Sequence, residues 1–302
     1  MKTVLVTLLS MVLWLTLAPL LPGLINKVKA WVAGRRGPPV LQLYYDLARL
    51  WKKGVVFSRL VSPWHVAGPM LGWVATAMAF LMLPVEPLPA PIHFRGDAIL
   101  FIYLLALGRF GLALAALDTG SAFEGMGAAR EVSFAVLAEL AVVTALLALS
   151  VQSQSLSLSG MLHPSAGAAV ALLGAGLFGV LLAENCRVPF DDPNTHLELT
   201  MIHEVMVLDH SGPPLAVILH GAALKLMLFS VLLVEAVIPL GGLPSWMALA
   251  VTGAGLLVVA TLVGLVESLM ARLAFRRVPL FLMTAFLFCF FALLVSWKGG
   301  AA

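Results

Sequence analysis

The sequence predicts an all-α membrane protein built as a bundle of about eight transmembrane helices. Composition, the recurrence of long apolar runs and the placement of basic residues each point there. Of the 302 residues, 61% are hydrophobic and only 11% are charged. A soluble domain uses about a quarter charged residues to cover its surface, so most of this surface must face lipid. Apolar runs near the length of about 20 residues that crosses a bilayer fall at 3–25, 66–84, 98–117, 131–149, 166–186, 214–238, 247–267 and 279–297. The first lacks a basic leader beyond Lys2 and has no small-residue cleavage site, so it reads as a retained helix rather than a signal peptide. Residues 1–302 read as a single membrane domain.

The connections differ sharply in basic charge. The first carries Lys27, Lys29, Arg35, Arg36, Arg49, Lys52, Lys53 and Arg59, the third Arg130, the fifth Arg187, and the seventh Arg272, Arg276 and Arg277. Even connections and both tails hold only Lys2, Arg95 and Lys298. By the positive-inside rule the odd connections are cytoplasmic and both termini lie outside. The outer stretches 84–91 and 238–244 are rich in Pro and Gly and read as turns. No internal repeat is visible, which argues against an independent transporter built from inverted halves.

The first connection opens with GRRGPP. It then places Val40, Leu43, Tyr44, Leu47, Leu50 and Trp51 on one helical face, with Gln42, Asp46, Arg49 and Lys53 on the other. This pattern predicts an amphipathic helix at the membrane interface. Its plain role is an anchor among headgroups; the sharper one is that Gln42 and Asp46, one turn apart, touch a docked partner.

The fifth connection gathers Glu184, Asp191, Asp192, Glu198, Glu204 and Asp209 with Arg187 and three histidines. Crowded carboxylates raise one another's proton affinity, so this stretch suits proton uptake and release. No metal site is expected in it. His203-Glu204 begins like HExxH, but the next histidine is His210, out of the motif's register. On a helix, His196, His203 and His210 would rise about 10.5 Å between neighbours, too far for one zinc. Cys186 and Cys289 form no CxxC pair, so no iron–sulfur cluster or structural zinc is expected in this chain.

Ionisable groups within spans are rare and mark functional candidates. Arg109, Glu139, His220, Lys225 and Glu235 fall inside, while Glu131 and Glu184 sit at cytoplasmic ends. Static ion pairing is one reading. The other is a hydrated proton path through Glu131, Glu139, Glu184, Asp191, Asp192, Glu198, Glu204, Lys225 and Glu235.

Four stretches carry a family resemblance. GRRGPP with Gln42 and Asp46 resembles the first cytoplasmic loop of subunit 1 of respiratory complex I, and Glu184, Arg187, Pro189, Phe190 and Asp191 match its E-x-x-R-x-P-F-D core. LDTGSAFEGMGAARE is similar to the hydrogenase 4 and formate hydrogenlyase branch, and THLELTMIHEVMVLDHSG to membrane-bound energy-converting [NiFe] hydrogenases. The resemblance implies a membrane anchor, not catalytic alone, in a bacterial or archaeal cytoplasmic membrane. It implies hydrogenase-like large and small subunits, iron–sulfur subunits and antiporter-like membrane subunits as partners, with the [NiFe] centre and clusters on those partners and no nucleic acid involved. The resemblance also implies that a cytoplasmic electron-transfer arm docks on this anchor, with Arg35, Arg36, Gln42, Asp46 and Arg187 in its docking surface. Asp192-Pro193-Asn194-Thr195-His196 replaces the acidic quinone-lining continuation of complex I, which favours a hydrogenase-type partner over the quinone-site subunit of an NADH:quinone oxidoreductase.

Overall fold

A computed structural model describes residues 12–162, 167–191 and 201–299. Helical turns over 12–17 lead through Pro19 into α1 (Leu20–Val32), and α2 (Gln42–Trp51) follows. Next come α3 (Trp64–Leu81), α4 (Asp97–Asp118), α5 (Ala122–Ser153) and the short α6 (Leu158–Met161). Then come α7 (Ala168–Glu184), α8 (Gly212–Val237), α9 (Ser245–Leu269) and α10 (Val278–Gly299). Among the described residues there are no strands. Six helical segments are long and apolar enough to cross a membrane: Trp64–Leu81, Asp97–Asp118, Ala122–Ser153, Gly212–Val237, Ser245–Leu269 and Phe275–Trp297; Ala168–Glu184 is a shorter apolar helix. The chain is therefore an all-α, multi-pass membrane protein.

Two expected boundaries move. The first helix was expected to end near residue 25, but α1 continues to Val32 and carries Lys27 and Lys29 on its last turns. The break comes earlier, at residues 18–19, where Pro19 lacks the N–H that a continuous helix requires. The fourth span was expected over 131–149, yet α5 begins at Ala122 and runs 32 residues. After the left-handed Gly120, Ser121 takes the extended conformation of a helix N-cap, so the stretch read as a loop is helical. Arg130 and Glu131 thus sit on a helix.

Packing between spans relies on close backbone approach, since lipid offers no hydrophobic drive to pair helices. A Cβ on Gly68 would meet Gly111 O of α4 at 2.3 Å, and one on Gly176 would meet Cys289 Sγ of α10 at 2.4 Å. α8 is the most enclosed helix; Leu224, Leu228, Val231 and Leu232 have no exposed surface.

Polar contacts sort the connections to two ends. At one end Ser62 N–H and Oγ–H donate to Asp118, Arg130 donates to Met201 O, Arg272 pairs with Asp191, and Ser211 bonds Val56. At the other, Glu86 N–H donates to Glu235, and Ser157 Oγ–H and Leu158 N–H donate to the fully buried Asp97. The odd connections meet at the first end and the even ones at the second, as their charge pattern predicts.

Candidate functional site

Five ionisable side chains from four helices converge at the interior end of the odd connections. Arg109 on α4 is the hub. Its Nη1 donates to Glu139, its Nη2 donates to Glu184 Oε1 at 2.6 Å, and its Nε lies 3.6 Å from Glu131 Oε1. Lys225 on α8 takes the other Glu184 oxygen at 2.7 Å. Helical spacing explains the grouping on α5: Glu131 and Glu139 are two turns apart and share a face. Glu184 ends α7, and Arg109 lies mid-helix opposite both.

The cluster has three acids and two cations, so its charge nearly balances inside a medium where an unpaired ion is very costly. Glu184 and Arg109 side chains are only 4% and 8% exposed, whereas Glu139 is 39% exposed. Glu139 therefore opens from the cluster onto the outer face of α5, beside exposed Val132, Val136 and Leu140.

Two clefts border the cluster. One, between α3, α4 and α8, touches Arg109, Glu131, His203 and Lys225. The other touches Glu184, Arg187, His203, Glu204 and Lys225. His203 and Lys225 border both, so the charged groups stand between two spaces rather than in solid apolar packing.

The fifth connection is held by its own charges. Asp191, 1% exposed, pairs with Arg272 at 2.9 Å and accepts from the N–H groups of Ile202 and His203 at 2.9 and 3.2 Å. Residues 204–207 form a 3₁₀ turn, so the regular helix that would have separated the histidines is not present between His203 and His210. His210 instead stacks on His65 with ring centroids 4.0 Å apart. Asp192, His196 and Glu198 lie outside the described residues.

Other expected site residues are placed elsewhere. Arg187 turns inward and pairs with Glu267 at 3.2 Å, and Lys29 takes the same carboxylate at 2.8 Å. Gln42 donates to both Asp46 oxygens, at 3.1 and 3.2 Å, so the two bond each other on α2. Arg35 and Arg36 are exposed. Glu235 is buried towards the opposite end of the bundle, accepting from Glu86 N–H at 3.2 Å. Between it and Lys225, the stretch 226–234 has one polar side chain, Ser230, whose hydroxyl donates to Leu226 O. Sequence reasoning missed Asp97, whose position at the first turn of α4 after Gly96 was the available signal. It also missed the association of Cys186 with the cluster's rim.

An all-α membrane bundle with a buried, cleft-lined charge cluster defines the class. A family profile described as NADH dehydrogenase matches residues 4–298, and the chain belongs to that family. It is 33% identical over 245 residues to hydrogenase-4 component C of Escherichia coli (strain K12), covering 76% of this chain and 74% of that one. Formate hydrogenlyase subunit 4 of the same organism is 30% identical over 312 aligned positions, covering 96% and 97%. Among solved structures, a chain of the membrane-bound sulfane sulfur reductase, an archaeal respiratory membrane complex, superposes with a TM-score of 0.84 at 19% identity, covering 99% of this chain and 100% of that one. That likeness establishes the fold.

Proposed function

We propose that this chain is the membrane subunit of a hydrogenase-like redox complex, anchoring a cytoplasmic electron-transfer arm and coupling its chemistry to proton (or sodium) translocation. The observation that carries the reading is the Arg109–Glu131–Glu139–Glu184–Lys225 cluster standing between two clefts. Buried carboxylates facing mobile cations can pass a proton when one ion pair exchanges for another, and their environment tunes which acid holds it. Asp191, Glu204 and the undescribed Asp192 and Glu198 form the cytoplasmic rim, with Glu235 as an outer member reached only through the apolar stretch 226–234. The kinship with hydrogenase-4 and formate hydrogenlyase components supports the hydrogenase type of partner.

The finer topology belongs to the same reading. Eight spans follow if residues 3–25 and α7 both cross, with the odd connections in the cytoplasm, both termini outside and α2 in the interface of a bacterial or archaeal inner membrane. Exposed Arg35 and Arg36 face the arm together with Gln42 and Asp46, while Arg187 acts from beneath through Glu267. The [NiFe] centre and iron–sulfur clusters belong to partner subunits. The half-exposed Glu139 supports an antiporter-like neighbour on α5, because a carboxylate is costly against lipid.

A quinone-binding role is the second reading, favoured by the NADH dehydrogenase family and by the cleft beside Trp73. Purifying the complex and assaying it in proteoliposomes separates the two. Hydrogen evolution coupled to acidification supports the hydrogenase reading; quinone reduction blocked by quinone-site inhibitors replaces it.

A further inference from the structure

The geometry points to a zinc-type cation site formed by Glu131, Cys186 and His203. One ligand atom from each lies within 4.8 Å of the others. A tetrahedral zinc needs nitrogen and oxygen ligands at about 2.0–2.2 Å and sulfur at about 2.3 Å. With the three ligand atoms already within 4.8 Å of one another, modest side-chain rotations would bring them to those distances.

The fold builds this meeting from three separate elements. Glu131 comes from α5. The segment 201–207 reaches it because Gly127, one turn before Glu131, has no side chain. A Cβ there would meet Val205 Cγ1 at 2.4 Å and Ile202 O at 3.0 Å. Asp191 then fixes His203 through its backbone N–H. Cys186 follows the end of α7 in the pattern where Arg187 N–H bonds Leu182 O and Cys186 N–H bonds Ala183 O, whose turning residue is ordinarily glycine. Cysteine occupies it with φ +50°, a left-handed conformation that strains a non-glycine residue. A strained, buried thiol facing an imidazole and a carboxylate is a donor set suited to a borderline-soft cation.

Charge also fits. A dication with the Glu131 carboxylate and the Cys186 thiolate forms a neutral unit, and the thiol proton leaves to water in the cleft bordering Cys186 and His203. Arg109 Nε stands 3.6 Å from Glu131, beyond hydrogen-bond distance, so the carboxylate keeps capacity for coordination. Three protein ligands leave a fourth position for water. Metal there would tie the fifth connection to α5 and α7, whether or not the cluster moves protons.

The test is zinc stoichiometry and zinc-edge X-ray absorption of the intact membrane complex after zinc loading, which is blind to iron and nickel on other subunits. The wild type should hold one more zinc than Cys186→Ser, with a single sulfur at about 2.3 Å. Cys186→Ser should lose that sulfur and bind at least tenfold more weakly, His203→Ala should weaken binding similarly, and Cys289→Ser should change nothing. Equal zinc content in wild type, Cys186→Ser and His203→Ala overturns the proposal, as does a sulfur shell that survives Cys186→Ser. If Cys186→Ser does not assemble, the His203→Ala comparison decides alone.

Discussion

Arg109 and Glu184, 75 residues apart in sequence, meet Nη2 to Oε1 at 2.6 Å, with Lys225 on the second Glu184 oxygen at 2.7 Å. This one carboxylate joins α4, α7 and α8, so the cluster braces the bundle whatever else it does. Removing a partner leaves a buried charge uncompensated, which costs about 3–5 kcal/mol. Arg109→Met should therefore lower thermal stability of the purified complex markedly. Arg109→Met combined with Glu184→Leu should restore much of the loss. Additive losses in the double variant would contradict the pairing.

Glu267 supports in the same manner the end where the odd connections meet, holding Lys29 and Arg187 from α1 and the fifth connection. Glu267→Gln should cost about 3 kcal/mol, the low end for a broken buried pair, because both cations retain some access to water. The melting temperature of the complex measures it, and Lys29→Met alone should cost less.

The α3–α4 crossing depends on Gly68, whose added Cβ would sit 2.3 Å from Gly111 O. Backbone there cannot yield as a flexible side chain would. Gly68→Ala should destabilise by about 1–3 kcal/mol, the usual overpacking penalty, whereas Gly253→Ala, with open space around it, should be neutral. A thermal-shift comparison of the two suffices.

His210 gives a pH dependence. Burial, with the stacked His65 adding to it, pulls its imidazole down to about 4. A group whose protonation is suppressed by folding contributes stability that is present above its unfolded value of about 6.5 and lost as pH falls from there towards about 4. Thermal stability should decline between about pH 6.5 and 4, and His210→Phe should flatten that part of the decline. An unchanged slope would remove His210 from the account.

The membrane class, the helix order and the two-ended sorting of the connections were legible because apolar length and basic charge are local signals. The pairings were not. Glu184 and Arg187 look like partners three residues apart, yet Glu184 binds Arg109 and Lys225 while Arg187 binds Glu267. Such choices depend on which helices pack, and glycine contacts such as Gly68 on Gly111 decide that. The early start of α5 was missed because a polar, glycine-containing stretch reads as a loop when only membrane hydropathy is weighed. Glu124 shows what it does instead: it accepts from Asp209 N–H at 2.9 Å, tying the new helical turn to the fifth connection.

Glu235 provides an internal comparison. About 15 Å of helix rise separates it from Lys225, and the intervening positions are apolar apart from Ser230. Glu235→Gln should reduce proton translocation less than Glu139→Gln does, measured as protons moved per turnover. Equal losses would show that the outer half carries an ionic route of its own.

Glu139→Gln and Lys225→Met are the most direct probes of the central claim, because each removes an ionisable group while preserving approximate size. In proteoliposomes containing the complete complex, both variants should keep redox turnover and lose proton translocation. Normal translocation at normal turnover in both would contradict it and leave the cluster as a static brace.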